Sequence, residues 1–365
     1  MIEFVCTADA HLHPHRQCSH NAGVDRIDDG LNALTESLNV ARHHGCPWVF
    51  LGDLKHIKGI WNQYALNKVK QLLHSDFRDV EKFLIHGNHD GTAGGSGLKP
   101  LEGKGCAVFD KPQVFDDVKF LDAAVWPHQP TTELLPAFLN DAQRKGVKFL
   151  FGHVFLRNSV VGPTDRPLTQ QGITLEEMGI GSVFEWAFLG DVHKQQMVPG
   201  SREGGYAIYP GSPLQLNWGD ASDEYSSFLY VNLEKDPKVE KISIKAPRFR
   251  AVDWSGLSVE EVRGEVDKGT HKTWEGDFVK LIVTPVVDSK IIENIMERSK
   301  ARWYSVTLRK KEKTPEARSE LHAGMKPQEL LQGYINVRPP DPALIKSPVP
   351  IVLKVGSKLL EEPSE

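Results

Sequence analysis

Cysteine is scarce: 365 residues contain only Cys6, Cys18, Cys46 and Cys106. They are scattered and form no C-x-x-C pair, which argues against a zinc knuckle or a disulfide framework and fits a reduced cytoplasm. The chain also lacks any apolar run of bilayer-spanning length and any charged-then-apolar leader at its start. A soluble, cytoplasmic protein with no membrane partner is therefore expected. No internal repeat of the solenoid kind is present. Charge of one sign is lacking too. With a formal net charge of -4, the chain has no overall basic signature of a nucleic-acid binder, although a metal centre and local basic surfaces can supply the field that phosphates feel. Against these absences, 40% apolar content over this length is enough for two domains with real cores.

One stretch organises the rest. Phe83-Leu84-Ile85 is an apolar run that breaks into His86-Gly87-Asn88-His89-Asp90, as a buried strand does when it delivers polar side chains at its carboxyl end. Four more runs repeat the arrangement. Ile2–Ala8 leads into Asp9-Ala10-His11, Trp48–Leu51 into Gly52-Asp53 and His56, Lys148–Phe151 into Gly152-His153, and Trp186–Leu189 into Gly190-Asp191-Val192-His193. Open α/β sheets place their ligands at such strand ends. Five of them on one rim would gather roughly eight oxygen and imidazole donors, a set suited to divalent metal.

Between the runs, Ile27, Leu31, Leu34 and Leu38 make one apolar helix face ending at Gly45, and Tyr64–Leu73 is the next helix. His43 and His44 fall in the last turn of the first helix, where imidazoles suit the dipole, and no catalytic role is assigned to them. This alternation predicts an α/β fold with a partly parallel sheet. Leu12–Gln17, rich in His, reads as a loop at the site's rim, where His13 and His15 either touch phosphate or are simply solvated. Gly91–Gly97 reads either as a mobile loop beside the metals or as a plain connector. Later, Tyr206–Tyr209, Phe228–Val231 and Val239–Ile244 read as strands. Beyond Phe249 a small α+β unit is expected, with a helix from Ser258, a strand Phe278–Val283, a helix Ile291–Met296 and a strand Trp303–Leu308. Arg298, Lys300, Arg302, Arg309, Lys310, Lys311 and Lys313 flank that last strand, with only Glu312 opposing them in sequence. They read as a phosphate-contacting edge or as a solvated face.

The ordered motifs D-x-H, G-D-x-x-H, G-N-H-D, G-H and G-D-x-H resemble those of the calcineurin-like metallophosphoesterases, over roughly the first two thirds of the chain. The run Tyr209-Pro210-Gly211-Ser212, followed by Asn217-Trp218-Gly219-Asp220, resembles the SbcD-type DNA repair nucleases within that superfamily.

The resemblance implies a four-layer α/β/β/α sandwich with a small α+β capping domain and a C-terminal helical segment. The expected divisions are 1–247 for the nuclease domain, 248–312 for the DNA-capping domain, 313–337 for a helical partner-binding segment and 338–365 for a Pro-rich tail. It also implies two divalent ions: Asp9, His11 and His193 would hold one, Asn88, His153 and Asp191 the other, with Asp53 bridging. Asp, Asn and His ligation without thiolate suits Mn²⁺, with Mg²⁺, Zn²⁺ and Fe²⁺ left open. His89 would protonate the leaving oxygen or stabilise the transferring phosphate, and His56 resembles a second phosphate-side histidine.

One position departs from the superfamily pattern. Asp191 stands where the usual last motif, G-H-x-H, has His. The activity implied is that of a Mn²⁺-dependent DNA exonuclease and single-strand or hairpin endonuclease. Its partners would be DNA, a second copy, and an SbcC-type ATPase with a coiled coil. Leu330, Leu331, Tyr334 and Ile335 form an apolar stripe that would either dock on that ATPase or pack back on the chain. A stand-alone phosphoesterase acting on nucleotides or phosphoproteins, and a non-catalytic DNA-end-binding subunit, are the alternatives.

Overall fold

The computed structural model describes residues 2–15, 26–115, 122–161, 171–199, 204–222, 226–236 and 238–309. The chain divides into two units, Met1–Thr307 and Leu308–Glu365. The apolar stripe at 330–335, the lysines beyond Arg309, the partner-binding segment and the tail lie outside the described residues.

In chain order the first part contains β1 (Glu3–Thr7), α1 (Arg26–His44), β2 (Trp48–Phe50), α2 (Gln63–Gln71), β3 (Lys82–Ile85), β4 (Gly91–Thr92), β5 (Gly95–Ser96), β6 (Cys106–Phe109), β7 (Gln113–Phe115) and β8 (Ala123–Trp126). There follow α3 (Leu135–Lys145), β9 (Phe149–His153), β10 (Trp186–Gly190), β11 (Gln196–Pro199), β12 (Tyr206–Tyr209), β13 (Ser227–Asn232) and β14 (Val239–Ser243). The last described elements are β15 (Phe249–Trp254), α4 (Val259–Asp267), β16 (Phe278–Val283), α5 (Ser289–Ser299) and β17 (Trp303–Leu308).

The fold is α/β, as expected. One six-stranded sheet has the order β14-β13-β1-β2-β3-β6 and a second the order β11-β12-β10-β9-β8-β7. In the first, β1, β2, β3 and β6 are mutually parallel and β13 joins antiparallel. In the second, β8, β9, β10 and β12 are parallel. Side chains alternate along each strand, so both faces of a buried strand need apolar residues, which is why these strands read as unbroken apolar runs. Phe4, Cys6, Val49, Leu51, Phe83 and Ile85 pack with Phe149, Phe151, Phe188 and Ile208 of the other sheet in one core. Phe4 meets Phe188 edge-on at 4.9 Å.

The intervening positions Val5, Phe50 and Leu84 join a separate core with Ile27, Leu34 and Leu38 of α1 and Ala65 and Val69 of α2. A third core sets Leu135, Phe138 and Ala142 of α3 with Ala124, Leu150, Ala187 and Leu189. α1 stops where Gly45 turns left-handed, at φ 63°, a conformation glycine adopts without strain.

The segment from Phe249 forms a three-stranded sheet, β15-β16-β17. It has its own core, which includes Trp254, Val262, Leu281, Ile292 and Ile295. α4 begins with a capping box in which the Ser258 side chain accepts from Glu261 N and the Glu261 side chain accepts from Ser258 N, which satisfies two of the amide donors at the helix start.

Two expectations need correction. Gly91–Gly97 is not a plain connector. Gly91 pairs with Ser96 and Thr92 with Gly95 in a hairpin, tied down by Gly97 N to Asp90 O at 2.7 Å and by Trp61 Nε1 to Gly97 O at 2.7 Å. The basic edge is also more neutral than its sequence neighbours suggest: Arg302 donates to both Asp29 oxygens at 2.8 and 2.7 Å, and Lys300 lies 3.4 Å from Glu275. These acids are remote in sequence, so a local charge count cannot find them.

Candidate metal centre

The ends of β1, β2, β3, β9 and β10 meet at one rim, where backbone conformation is unusual. Asp9, His11, Asp53 and Asp191 all have positive φ, at 55°, 43°, 61° and 94°. A side chain held in this region costs on the order of 1–3 kcal/mol, and such strain clusters at functional sites because the surroundings over-determine it. Here the surroundings are visible. Asp9 N donates to Gly52 O at 2.9 Å and His11 N to Asp53 O at 2.9 Å, so the ends of β1 and β2 are laced together.

Glycines make the close approach possible. A Cβ on Gly87 would sit 2.3 Å from Asp53 N and Oδ1, and one on Gly190 would sit 2.1 Å from Leu51 O.

Asp53 is central. Its Oδ2 lies 3.5 Å from His11 Nε2 and its Oδ1 3.6 Å from His153 Nε2, while Oδ1 also accepts from His89 N at 2.7 Å. His153 Nε2 is 3.5 Å from Asp191 Oδ1, and its Nδ1 contacts Leu51 O at 2.7 Å, which leaves Nε2 to face the site. Asp191 N donates to both oxygens of Asp9, at 3.2 and 3.1 Å. Ser212, of the Tyr209–Ser212 run, donates from Oγ to Asp9 O at 2.8 Å.

Asp9, His11 and His193 form one group able to hold a metal ion, Asp9, Asp53 and His153 a second, and His11, His56 and His89 a third. Asp9 thus belongs with both carboxylate-bearing groups, whereas the sequence reading gave it to one ion alone.

A cleft of about 920 Å³ opens above them, lined by His11, Asp53, His56, Asn88, His89, Asp191 and His193, with His13, His15 and Trp218 among the residues at its walls. Asp9 and His153 are deeper, at 0% and 1% exposure. All nine residues singled out from the sequence are therefore brought together, and His13 and His15 stand beside them.

Electrostatics follow from this crowding. Burial, reinforced by Asp53 and Asp191, raises the Asp9 carboxyl well above its ordinary range despite the opposing pull of His153. Burial alone would depress His153, but Asp53, Asp9 and Asp191 outweigh it and lift the imidazole to about 10. Burial and the surrounding histidines hold His11 well below its usual value.

Donor atoms are also left over. His11 Nε2, Asn88 Oδ1 and His153 Nε2 are buried without a hydrogen-bond partner. Leaving one such group unpaired costs about 1–3 kcal/mol, and cations bound at the rim would satisfy them. Oxygen and imidazole donors without thiolate fit a hard to borderline divalent ion.

Sequence reasoning missed three supports. Asp90, fully buried, accepts from the backbone N of Gly87 (2.9 Å), Asp53 (2.8 Å), Leu54 (3.1 Å) and Lys55 (3.3 Å), clamping the β2 and β3 loops; burial and Asp53 push its carboxyl up to about 7. The buried Lys55 ties Ile57 O (2.8 Å), His89 O (2.6 Å) and Gly91 O (3.3 Å) together through Nζ. His128 lies 6.4 Å from His153, ring to ring. Its signal was present, because Ala123–Trp126 is one more apolar run that ends, after Pro127, in His.

No protein-family model and no curated protein matches the chain. Among solved structures that match is one titled "GAP50 the anchor in the inner membrane complex of Plasmodium", with 13% identity and a TM-score of 0.38, covering 67% of this chain and 89% of that one. A likeness at that level carries no argument about function. No helix among the described residues is long and apolar enough to cross a membrane.

Proposed function

We propose that the chain is a calcineurin-like metallophosphoesterase of SbcD type, a Mn²⁺-dependent nuclease subunit that hydrolyses DNA phosphodiesters. The observation that carries this reading is the convergence of Asp9, His11, Asp53, Asn88, His153, Asp191 and His193 on one rim, with three of their donor atoms buried and unpaired. The four-layer α/β/β/α arrangement is supported by the three cores of the first two sheets, one between the sheets, one under α1 and α2 and one under α3. Asp9, His11 and His193 would hold one ion and Asn88, His153 and Asp191 the other, with Asp53 between them.

Two divalent ions in that position would supply a Lewis-acid clamp on the phosphate and an activated water. The chain's own residues do the rest. Asp53 and Asp9 set the negative charge that retains cations, and Asp90 and Lys55 hold the Asp53 loop in its strained conformation. His89, with Nδ1 fixed on His56 O, keeps Nε2 for a substrate oxygen and, when doubly protonated, gives its proton to the leaving group. His56, whose ring stacks on His89 at 5.5 Å, supports the phosphate side. Asp191 in place of the superfamily His adds a negative charge at the second ion and favours a hard cation there.

The test is a substrate panel with and without Mn²⁺. Manganese-stimulated cleavage of linear DNA is the expected result. Turnover of small phosphomonoesters or cyclic nucleotides with DNA untouched would instead mean a stand-alone phosphoesterase, and DNA retention with neither activity a binding subunit. The proposed partners are a second copy and an SbcC-type ATPase gripped by residues 313–337. A chain truncated before Thr314 should still cut short DNA but no longer co-purify with that ATPase; retained binding would remove the partner assignment.

A further inference from the structure

We propose that His11, His56 and His89, which line the cleft, form a further, all-imidazole cation site, one that takes a borderline transition ion of the Zn²⁺ class rather than Mn²⁺. One donor atom from each of the three lies within 4.8 Å of the other two. Their ring centres are 5.3 Å apart for His11 and His56, 4.8 Å for His11 and His89, and 5.5 Å for His56 and His89.

The spacing of the nitrogens carries the argument. Zn–N bonds of about 2.0–2.1 Å at the tetrahedral angle hold two ligand nitrogens about 3.3–3.4 Å apart, and His11 Nδ1 stands 3.3 Å from His56 Nδ1. His11 serves both sites at once only as an imidazolate, releasing its remaining ring proton to solvent, with Nδ1 in the cage and Nε2 on the other side, 3.5 Å from Asp53 Oδ2. His89 is oriented by the contact of its Nδ1 with His56 O, leaving Nε2 as its donor.

The donor chemistry separates this cage from the carboxylate-rich pair below it. Three imidazole donors with no carboxylate among them suit Zn²⁺, Co²⁺, Ni²⁺ and Cu²⁺ better than Mn²⁺ or Mg²⁺, which prefer oxygen. His13 and His15 stand behind the cage, their rings 5.3 and 4.8 Å from that of His56, so the neighbourhood stays rich in nitrogen. A cation held there takes His56 and His89 out of use on the phosphate side. Excess Zn²⁺ would then inhibit Mn²⁺-dependent turnover. That consequence rests on the function proposed above; the cage itself does not.

The two are separated by metal binding measured without activity. The full chain, freed of metal by chelation, is titrated with Zn²⁺ by calorimetry and with Co²⁺ by visible absorption, since four-coordinate cobalt absorbs far more strongly than six-coordinate. Wild type should bind one more equivalent of Zn²⁺ than His56→Asn and His56→Gln, and should show a strong cobalt band that both variants lose. Asp53→Asn, which disables the carboxylate pair, should keep the band. Melting curves establish that each variant is folded. An equal zinc count and an equal band in wild type and the folded His56 variants would overturn the cage, as would a band lost in Asp53→Asn and retained in the His56 variants. Failure of wild type to cut DNA in Mn²⁺ would overturn the nuclease reading and leave the cage standing.

Discussion

At the scale of single residues, His153 shows what the centre demands. It is within 3.6 Å of Asp53 and 3.5 Å of Asp191, and the acids around it raise its imidazole from 6.5 to about 10. In metal-free protein the stabilisation from this charged histidine is fully present below about pH 6.5 and is lost as pH rises through about 10. Between those limits a cation must displace a proton to use Nε2. Metal uptake at pH 7–8 should therefore release at least one proton per molecule, and affinity should rise with pH. Calorimetry in buffers of different ionisation enthalpy measures this directly; binding heat independent of buffer would contradict the placement of His153 among the ligands. The candidate ligands were legible because each is an Asp, Asn or His where an apolar run stops. Asp90 and Lys55 were not, since they act on backbone groups brought close only by folding.

Strands and helices carry the next level, and their junctions are tight. Gly87, at the end of β3, has no room for a methyl group: a Cβ there would lie 2.3 Å from Asp53 N and Oδ1. Gly87→Ala leaves every donor atom in place yet forces the two loops apart, at a cost of roughly 1–3 kcal/mol from overpacking. It should lower the melting temperature and weaken metal binding together. A variant that melts early but binds metal normally would show that the loops relax without disturbing Asp53. Elements of strong period were legible in the sequence. β16 and β17 run over Phe278–Val283 and Trp303–Leu308, the spans read from it, and the helix begun at Ser258 follows its capping box. The hairpin of β4 and β5 was not legible, because each strand has two residues and five of the seven positions from Gly91 to Gly97 are not β-formers by side chain: Gly91, Ala93, Gly94, Gly95 and Gly97. It is fixed instead by the hydrogen bonds of Gly97 with Asp90 and with Trp61, the latter made from a distant part of the chain.

For the molecule as a whole, the small sheet from Phe249 is joined to α1 through a buried charge cluster. Arg26, 2% exposed, meets Asp29 at 3.2 Å and packs over the rings of Phe249 and Phe278 at 5.5 and 4.9 Å; Asp29 also receives Arg302. Asp29→Ala removes the carboxylate that Arg26 and Arg302 share, while Arg26 keeps Gln215 O, and should cost about 1–3 kcal/mol, with amide exchange across residues 248–308 rising more than in β1 and β2. An unchanged melting temperature would mean that the aromatic contacts alone hold the joint. Such a joint is invisible to a sequence reading, since Asp29 and Arg302 stand at opposite ends of the described chain. What unites all three scales is the claim that one rim holds two divalent ions, and anomalous diffraction from a crystal of the full chain grown with Mn²⁺ tests it most directly. The account predicts two manganese peaks about 3.5–4 Å apart, both within reach of Asp53, one among Asp9, His11 and His193 and the other among Asn88, His153 and Asp191. A single peak, or manganese bound only to carboxylates elsewhere on the surface, would contradict it.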